Sequence, residues 1–321
     1  MSHRSKIWII IGVLLVVAGI ILFVAAMTTI HWDISNLIAS KYVTSTYTIN
    51  GNLKDISIAI DNADVIFRPS ENGERELIFH ERKNMAHSVT EENGILSIKV
   101  IDNRNWYEYI GINLSTPQIT VHIPQDEYAS LSIKGSTGDV EIPNEFKFDS
   151  IDISTSTGSV KCGASAQGLI KINATTGRID ISKISAGDID ISLSTGDIIL
   201  SSVSCNGNIK LKVTTGDTVI RDLKCNDLVS NGSTGDLTLK NVILSGSLYA
   251  ERSTGDVTFD RCDAAELFIE TDTGNVNGSL LSEKIFIVET DTGSKDVPKT
   301  ITGGRCEIET DTGDIRIGIV E

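Results

Sequence analysis

Apolar and polar residues alternate in short runs through most of the chain, and the alternation is organised around a recurring glycine. Residues seven and five positions before each glycine are mostly apolar, as are residues two and four positions after it, and the residues between them are mostly polar. Around Gly196 these positions hold Ile189, Ile191, Ile198 and Leu200. Alternation with a period of two on both sides of a turn predicts two short strands per repeat, each with one buried face.

The recurring glycine is preceded by threonine in every copy and is most often followed by aspartate. Ser-Thr-Gly-Asp occurs intact from Ser136, Ser194, Ser233 and Ser253. Successive repeat glycines are 19 or 20 residues apart, at Gly138, Gly158, Gly177, Gly196, Gly216, Gly235, Gly255, Gly274, Gly293 and Gly313. A fixed period of this length predicts stacked repeats, because one pair of short strands cannot bury its apolar face alone. The predicted fold class is therefore all-β, a single-stack β-solenoid similar to a parallel β-helix, built from 19–20-residue repeats.

The repeated turn residues carry structural expectations. The glycine is predicted to supply a backbone angle that residues with a side chain resist. The threonine hydroxyls are expected to hydrogen-bond along the rod when stacked in register. Ten coils at about 4.8 Å each give a rod on the order of 48 Å long. A catalytic serine or threonine would be singular rather than repeated in every copy, so a structural role is favoured.

The chain divides into five predicted segments. Residues 1–6 are assigned to a cytoplasmic N-terminus, 7–30 to a transmembrane helix, 31–54 to a tether, 55–130 to an irregular β capping region with one degenerate repeat, and 131–321 to the β-repeat solenoid. In the degenerate repeat Ala63 takes the place of the glycine between two alternating runs. A cap is expected because an open solenoid end exposes strand edges that pair with other chains. The aromatic-rich residues 105–113 are predicted to contribute to it.

Residues 7–30 contain no charged side chain, and this run predicts contact with a lipid bilayer. Its 24 residues would form about 36 Å of helix, enough to cross a hydrocarbon core of about 30 Å. Trp8 and Trp32 bracket the run, and Arg4 and Lys6 precede it. By the positive-inside rule, a single-pass membrane protein would have its N-terminus in the cytoplasm and its C-terminal domain outside. A cleaved signal peptide is the alternative, but the run exceeds the usual apolar length, which favours an uncleaved anchor.

Charge and cysteine content narrow the range of partners. The net charge is −15, and because Arg4 and Lys6 are the only charged residues before residue 33, the rest carries 26 bases against 43 acids. This acidity disfavours nucleic acid as a partner.

The five cysteines cannot all pair within one chain. Cys162 and Cys306 occupy inward phases, and Cys205 and Cys225 are expected to be stacked neighbours, with a disulfide between them left open.

The repeat motifs also resemble those of a known family. Ile119 to Pro124, Leu131 to Ile133 and Ser136 to Val140 resemble the bacterial toastrack-type β-strand-repeat domain of unknown function, a family also described as candidate adhesins. The resemblance extends over most of residues 45–321. It implies a membrane-anchored or envelope-associated bacterial protein, in some members linked to envelope stress. It implies no catalytic residues.

Acidic residues in the last repeats are the candidate ligand-binding groups. Asp-Thr-Gly occurs three times, as in aspartic proteases, but repeat drift explains these copies better than a paired catalytic dyad does. The outward residues four and two positions before the glycine are predicted to form two adjoining carboxylate ladders: Glu270, Asp272, Glu289, Asp291, Glu309 and Asp311. Repulsion along such ladders would be relieved by a hard divalent cation, which predicts weak calcium binding. A solvated acidic patch is the alternative. No other metal, cofactor or catalytic residue is predicted.

Two functions of different classes remain. The first is a non-catalytic surface module that binds an envelope protein or a cell-wall glycan, in the manner of an adhesin. The second is a carbohydrate-active solenoid enzyme that acts on acidic polysaccharide. An enzyme of that kind needs a groove built from long loops, whereas the turns here are uniformly short. The non-enzymatic function is therefore favoured.

Overall fold

The computed structural model describes residues 3–29, 32, 42–82, 85–102 and 116–320. Helix α1 (His3–Thr29) contains the apolar segment, and residues 6–25 are long and apolar enough to cross a membrane. It has the length and composition of a membrane anchor or a signal sequence. The other described elements are 26 strands joined in one hydrogen-bonded sheet, so the predicted all-β solenoid with one N-terminal apolar helix is confirmed.

The strand bounds follow the repeat. The N-terminal strands are β1 (Tyr42–Thr48), β2 (Asp55–Ala59), β3 (Asp64–Pro69), β4 (Glu76–Arg82), β5 (Met85–Glu92), β6 (Ile95–Asp102) and β7 (Gln118–Ile123). Strands that precede a repeat glycine are β8 (Glu127–Thr137), β10 (Lys147–Thr157), β12 (Ser165–Thr176), β15 (Ile209–Thr215), β17 (Leu228–Thr234), β19 (Ser247–Thr254), β21 (Glu266–Thr273), β23 (Lys284–Thr292) and β25 (Gly304–Thr312). Strands that follow one are β9 (Val140–Ile142), β11 (Val160–Cys162), β14 (Ile198–Cys205), β16 (Thr218–Cys225), β18 (Leu237–Leu244), β20 (Val257–Cys262), β22 (Val276–Leu280), β24 (Lys295–Asp296) and β26 (Ile315–Ile319). Strand β13 (Ile179–Thr195) follows one glycine and precedes the next.

Successive coils pair in parallel with equivalent residues opposite one another. In the middle of the rod, Ile191 lies opposite Leu211 and Thr195 opposite Thr215. The inward residues of all coils form one continuous core, in which both Ile191 and Leu211 are at most 1% exposed. The core follows from the alternation, because a period of two places every second side chain on the same face.

Five consecutive coils, those of Gly177 to Gly255, have a third inward-facing run that the alternation did not predict. Six residues after the repeat glycine the backbone takes a left-handed conformation, with φ between 52° and 57°, at Lys183, Ser202, Asp222, Asn241 and Arg261. A single residue of this kind turns the strand, so that residues seven and nine after the glycine also point inward. Val203 and Cys205 are examples, and both are buried. The expectation of two strands per repeat is therefore incomplete.

The repeat glycines are required by stacking as well as by backbone angle. Gly216 has a φ of 134° and Gly196 a φ of 128°, a region that side chains disfavour. A Cβ atom on Gly216 would lie 2.0 Å from the carbonyl oxygen of Gly196 in the adjacent coil. The predicted special role of the glycine is confirmed, and the close approach of the two backbones adds a second reason for it.

Aspartate, rather than threonine, forms the side-chain ladder at the turn. The Asp197 carboxylate accepts a hydrogen bond from the backbone N–H of Asp217 at 3.2 Å, and Asp217 accepts from the N–H of Asp236 at 2.9 Å. No hydrogen bond joins the hydroxyls of stacked turn threonines in the described residues, so that expectation is wrong. The turn threonines instead join adjacent coils through their main-chain carbonyl oxygens: the N–H of Gly216 donates to the carbonyl oxygen of Thr234 at 2.8 Å.

One inward position of the sheet holds a buried arginine. Arg252, three residues before Gly255, is 1% exposed and donates to the carbonyl oxygens of Ser230 and Glu251 and to the Ser230 hydroxyl. Its Nε has no hydrogen-bond partner. Burial lowers the pKa of Arg252 to about 10, against the raising effect of Asp236 and Glu251. The space for its guanidinium exists because the residue opposite in the neighbouring coil is Gly232.

The coil order departs from the chain order at the N-terminal end. Strands β2 and β3 stack in register between β8 and β9 on one side and β6 and β7 on the other. Strand β5 pairs antiparallel with β6, and β4 and then β1 continue antiparallel from β7. Residues 42–48, predicted as part of the tether, therefore form a capping strand rich in β-branched and aromatic residues. The predicted contribution of residues 105–113 lies outside the described residues.

The last coils are exchanged in the same way at the C-terminal end. Strand β25 lies between β21 and β23, and β26 lies between β22 and β24. The coil of residues 304–319 is thus inserted between two coils that precede it in the chain. Strands β23 and β24 form the final coil of the rod.

Candidate binding surface

The outward side chains on the strands before the glycines vary, whereas the core and turn residues repeat. Four positions before the glycine, the residues in spatial order are Lys134, Ser154, Asn173, Ser192, Lys212, Asn231, Glu251, Glu270, Glu309 and Glu289. This row runs from lysines to glutamates along one face of the rod. Because stacking does not dictate these residues, the row is where a repetitive scaffold can carry binding specificity.

A first groove, the lysine groove, lies on the part of this face between Lys134 and Lys212. It has a volume of about 510 Å³ and a floor of small polar and aliphatic residues, including Ser154, Asn173 and Ser192. The two lysines are exposed and lie four coils apart, about 19 Å at the usual strand spacing. On an acidic protein, such a groove offers ammonium groups and hydroxyls to an extended, anionic or polyhydroxylated ligand.

A second groove, the aromatic groove, lies further along the same face and has a volume of about 540 Å³. The rings of Tyr249 and Phe268 are stacked on its wall, with centroids 4.6 Å apart and planes 10° from parallel. Arg305 covers the other end of this stack, with its guanidinium carbon 5.6 Å from the Phe268 centroid. The Tyr249 side chain is 47% exposed although it is large and apolar. Exposed aromatic side chains of this kind are typical of recognition surfaces.

Sequence reasoning missed these two aromatic residues. Both lie six positions before their glycines, in consecutive repeats, so the repeat alignment brings them together. The available signal was that Tyr249 and Phe268 occupy a position whose side chain points outward in the other repeats. In the two preceding repeats this position holds Lys210 and Val229. That signal becomes clear only when the outward rows are compared position by position.

The predicted carboxylate ladders reach the aromatic groove, which Glu270 and Glu309 line, and they run along the rod in an order different from the chain order. Glu251, Glu270, Glu309 and Glu289 are adjacent in that sequence because the last coil is inserted. The aspartates follow the same exchange, in the order Asp272, Asp311, Asp291, and all of these side chains are exposed. The sequence therefore identified the rows, but not which carboxylates are neighbours.

Repulsion within the rows is visible at Glu270. Its pKa is raised by partial burial and by the neighbouring carboxylates of Glu251, Glu309, Asp272 and Asp311. An acid whose pKa is higher in the folded state opposes folding increasingly as the pH rises through that range. At neutral pH this carboxylate therefore destabilises the C-terminal coils.

The described residues contain no cluster of three or more histidine, cysteine, aspartate or glutamate side chains that converges on a metal position. Asp272, Asp291 and Asp311 of the Asp-Thr-Gly copies lie in one row along the rod rather than as a facing pair. In these copies the threonine three residues before the glycine has a structural use, since Thr310 donates to the carbonyl oxygen of Gly274 at 3.0 Å.

The five cysteines are buried and free, and none offers a reactive thiolate. Cys205 and Cys225 lie in neighbouring strands as expected, without a disulfide. Burial raises the pKa of Cys225 to about 12, with smaller contributions from Cys205 and Asp227. Cys162 and Cys306 are completely buried, and burial raises the pKa of each to about 12. At neutral pH these groups are protonated core side chains.

Comparison with known proteins places the sequence in one family. The sequence model described as Toastrack DUF4097 matches residues 53–218 and again residues 204–321. Together the two matches span residues 53–321, which include every described strand except β1. No curated protein matches the sequence significantly.

Several solved structures are similar to the chain at low sequence identity. A candidate lipid-binding protein from Parabacteroides distasonis is 15% identical, covers 87% of this chain and 97% of its own, and has a TM-score of 0.46. A candidate adhesin from Parabacteroides merdae is 11% identical over 88% of this chain and 97% of its own, with a TM-score of 0.43. A candidate adhesin from Bacteroides fragilis is 14% identical over 88% and 99%, with a TM-score of 0.36.

Proposed function

The chain belongs to the Toastrack DUF4097 family, and from that premise we propose that it is a membrane-anchored, extracytoplasmic binding protein. It acts as a non-catalytic, adhesin-like module of the bacterial envelope, with a place in envelope stress responses. Its ligand is an envelope protein or a cell-wall glycan that lies along the face carrying the lysine groove and the aromatic groove.

One observation carries the proposal: the variable outward rows form two open grooves on an otherwise repeated scaffold. The lysine groove and the aromatic groove each have a volume near 500 Å³ and lie on the same face. They differ in charge, so an extended ligand would meet ammonium groups at one end and carboxylates with exposed aromatic edges at the other. A flat, open face of this kind suits binding of a long partner better than enclosure of a substrate.

The binding function is tested with envelope fractions and the purified chain. We expect retention of an envelope glycan or protein without turnover, and at least ~10-fold weaker retention by the double variant Lys134→Glu/Lys212→Glu, because charge reversal costs more than 1.4 kcal/mol at a site of electrostatic contact. Lys161→Glu/Lys224→Glu is the matched control, since these exposed lysines lie on strands β11 and β16, away from this face. Equal retention by both double variants would place the ligand elsewhere, and depolymerised glycan would support an enzyme.

The localisation is tested by protease added to intact cells. We expect the strands from β1 onward to be digested while α1 stays in the membrane, because the basic residues before α1 favour a cytoplasmic N-terminus. A cytoplasmic reporter protein serves as the control for cell integrity. Protection of residues 42–320 in intact cells would place the solenoid inside and would contradict the proposal.

We also propose weak calcium binding along the C-terminal carboxylate rows. The carboxylates that raise the pKa of Glu270 would be neutralised by a hard cation, so calcium should stiffen these coils. Calorimetry should show uptake in the millimolar range, and a thermal melt should show a calcium-dependent gain that Asp291→Ser reduces. Asp296→Ser is the matched control, because this exposed aspartate lies on β24 outside both rows. If calcium leaves the melting temperature of the wild type unchanged, the rows are a solvated acidic patch and the proposal of calcium binding is wrong.

A further inference from the structure

The N-terminal end of the solenoid is capped by antiparallel strands, whereas no described strand caps the C-terminal end. At the N-terminal end, β5 covers the outer edge of β6, and β4 and β1 continue outward from β7. The core residues beneath them, Leu96 and Ile98, are 0% exposed. At the C-terminal end, β23 pairs with β25 alone and β24 with β26 alone among the described residues. Beyond Lys284, the outer edge of β23 therefore has no main-chain partner strand in the described part of the chain.

This edge also leaves apolar side chains uncovered. Phe286 and Val288 occupy the phases of Cys306 and Ile308, which are 0% and 1% exposed. Both are only half-buried, because none of the described coils stacks on the outer side of β23. Ile287, on the outward face of the same strand, is 48% exposed. The loop after β24 reaches only the start of β23, where the Thr300 hydroxyl donates to the carbonyl oxygen of Lys284.

The charge pattern decides how a further strand can be added. A parallel strand that continued the stack would place another residue beside Glu289 and Asp291, and an in-register copy would extend both carboxylate rows. Like charges directly opposite one another are destabilising. An antiparallel copy reverses the strand, so the acidic half of one β23 meets the apolar half of the other. At the N-terminal end, the chain itself uses an antiparallel strand to cover a terminal coil.

From this edge we infer that the C-terminal end of the solenoid is a homodimerisation surface, in which β23 of two copies pair antiparallel about a two-fold axis. Registers centred on Phe286 and on Ile287 each pair three apolar residues of the two strands. We take the second, which places Ile287 opposite Ile287 of the second copy, because the first places Glu289 opposite Glu283. Phe286 then lies opposite Val288 of the second copy, and the reciprocal pair is identical because the interface is isologous. In this register Glu289 faces Ile285 of the second copy, and the opposed carboxylates, Asp291 and Glu283 of the second copy, meet only at the margin of the pairing because Glu283 precedes β23.

The interface goes beyond ligand binding along the side of the rod, because it joins two rods by their ends. Strand β1, to which the segment after α1 leads, lies in the cap at the opposite end of the rod. A two-fold axis perpendicular to the rods sends the two capped ends in opposite directions. Two anchored copies that pair in this way would therefore join facing membranes, on the order of 100 Å apart for two stacks of about twelve coils.

The test measures the mass of the full chain in detergent by light scattering, corrected for bound detergent. We expect a dimer for the wild type and at least ~10-fold weaker association for Ile287→Lys, since a lysine on an edge strand opposes pairing. Ile301→Lys is the matched control, because Ile301 is 89% exposed and lies off the edge strand. Unchanged melting temperatures would show that both variants fold.

A second variant tests the register directly. Under mild oxidation, Ile287→Cys should form a disulfide-linked dimer, whereas the wild type should not, because its five cysteines are buried. Ile301→Cys is the control for random collision. A monomeric wild type at high micromolar concentration, or a dimer that Ile287→Lys leaves intact, would overturn the inference.

Discussion

Gly216→Val is expected to lower the free energy of unfolding by about 4 kcal/mol or more, enough to prevent folding of a marginally stable rod. Two causes add. Gly216 has a φ of 134°, which a β-branched residue adopts only under strain that costs on the order of 1–3 kcal/mol. Its Cβ would also lie 2.0 Å from the carbonyl oxygen of Gly196. Since that oxygen belongs to the backbone of the next coil, the clash is relieved only by separating the coils.

The measurement is a thermal or denaturant melt, with Gly318→Ala as the control. Gly318 lies in β26, and a Cβ there would meet its nearest atom, the carbonyl oxygen of Gly278, at 4.0 Å. The free energy of unfolding of this control should lie within about 0.5 kcal/mol of the wild-type value, because the added Cβ meets no close neighbour. If Gly216→Val melts with the control, the coils are not stacked as closely as described.

The second large effect is expected inside the sheet, at the pair Gly232 and Arg252. Gly232→Val should cost about 2–3 kcal/mol, because a Cβ on Gly232 would lie 3.0 Å from the buried guanidinium of Arg252. The double variant Gly232→Val/Arg252→Val should recover most of that loss. It continues the apolar row of Leu193 and Val213 and removes the unpartnered Nε of the arginine.

A double-mutant cycle separates this coupling from a simple sum. Chemical denaturation of the two single variants and the double variant should give an interaction energy of at least 1 kcal/mol in favour of the double. Lys171→Ala/Val229→Ala on the same outward row is the control pair, and its effects should be additive because three coils separate the two residues. A double variant no more stable than Gly232→Val would show that the arginine does not occupy the space left by the glycine.

The regular part of the fold could be predicted because one physical rule repeats in it. Alternation around each glycine specifies inward and outward faces, and the constant spacing specifies the stack, so residues such as Ile191 and Leu200 were assigned to the core correctly. The turn chemistry was predicted less well. The hydroxyl of Thr195 and the carboxylate of Asp197 are equally plausible ladder groups in the sequence, and only the geometry shows that the carboxylate reaches the next N–H.

The features that were missed depend on contacts between distant residues. The left-handed residue at the third corner has no fixed identity, being Lys183 in one coil and Ser202 in the next. The exchange of the last two coils leaves the period unbroken, so the spacing of Gly293 and Gly313 gives no sign of it. The aromatic groove was missed for a related reason, since Tyr249 and Phe268 become neighbours only when the outward rows are aligned.

The inserted C-terminal coil sets a constraint on biosynthesis. A ribosome releases residues 284–296 before residues 304–319, yet the finished rod has the later segment between the earlier one and β21. A solenoid can otherwise grow coil by coil as it emerges. Here the stacking of coils must pause after the coil of residues 266–280 until residues 304–319 have been synthesised. The apolar residues of β23 then stay exposed until residues 304–319 have been made, so quality-control proteases would encounter them in any chain whose synthesis stops early.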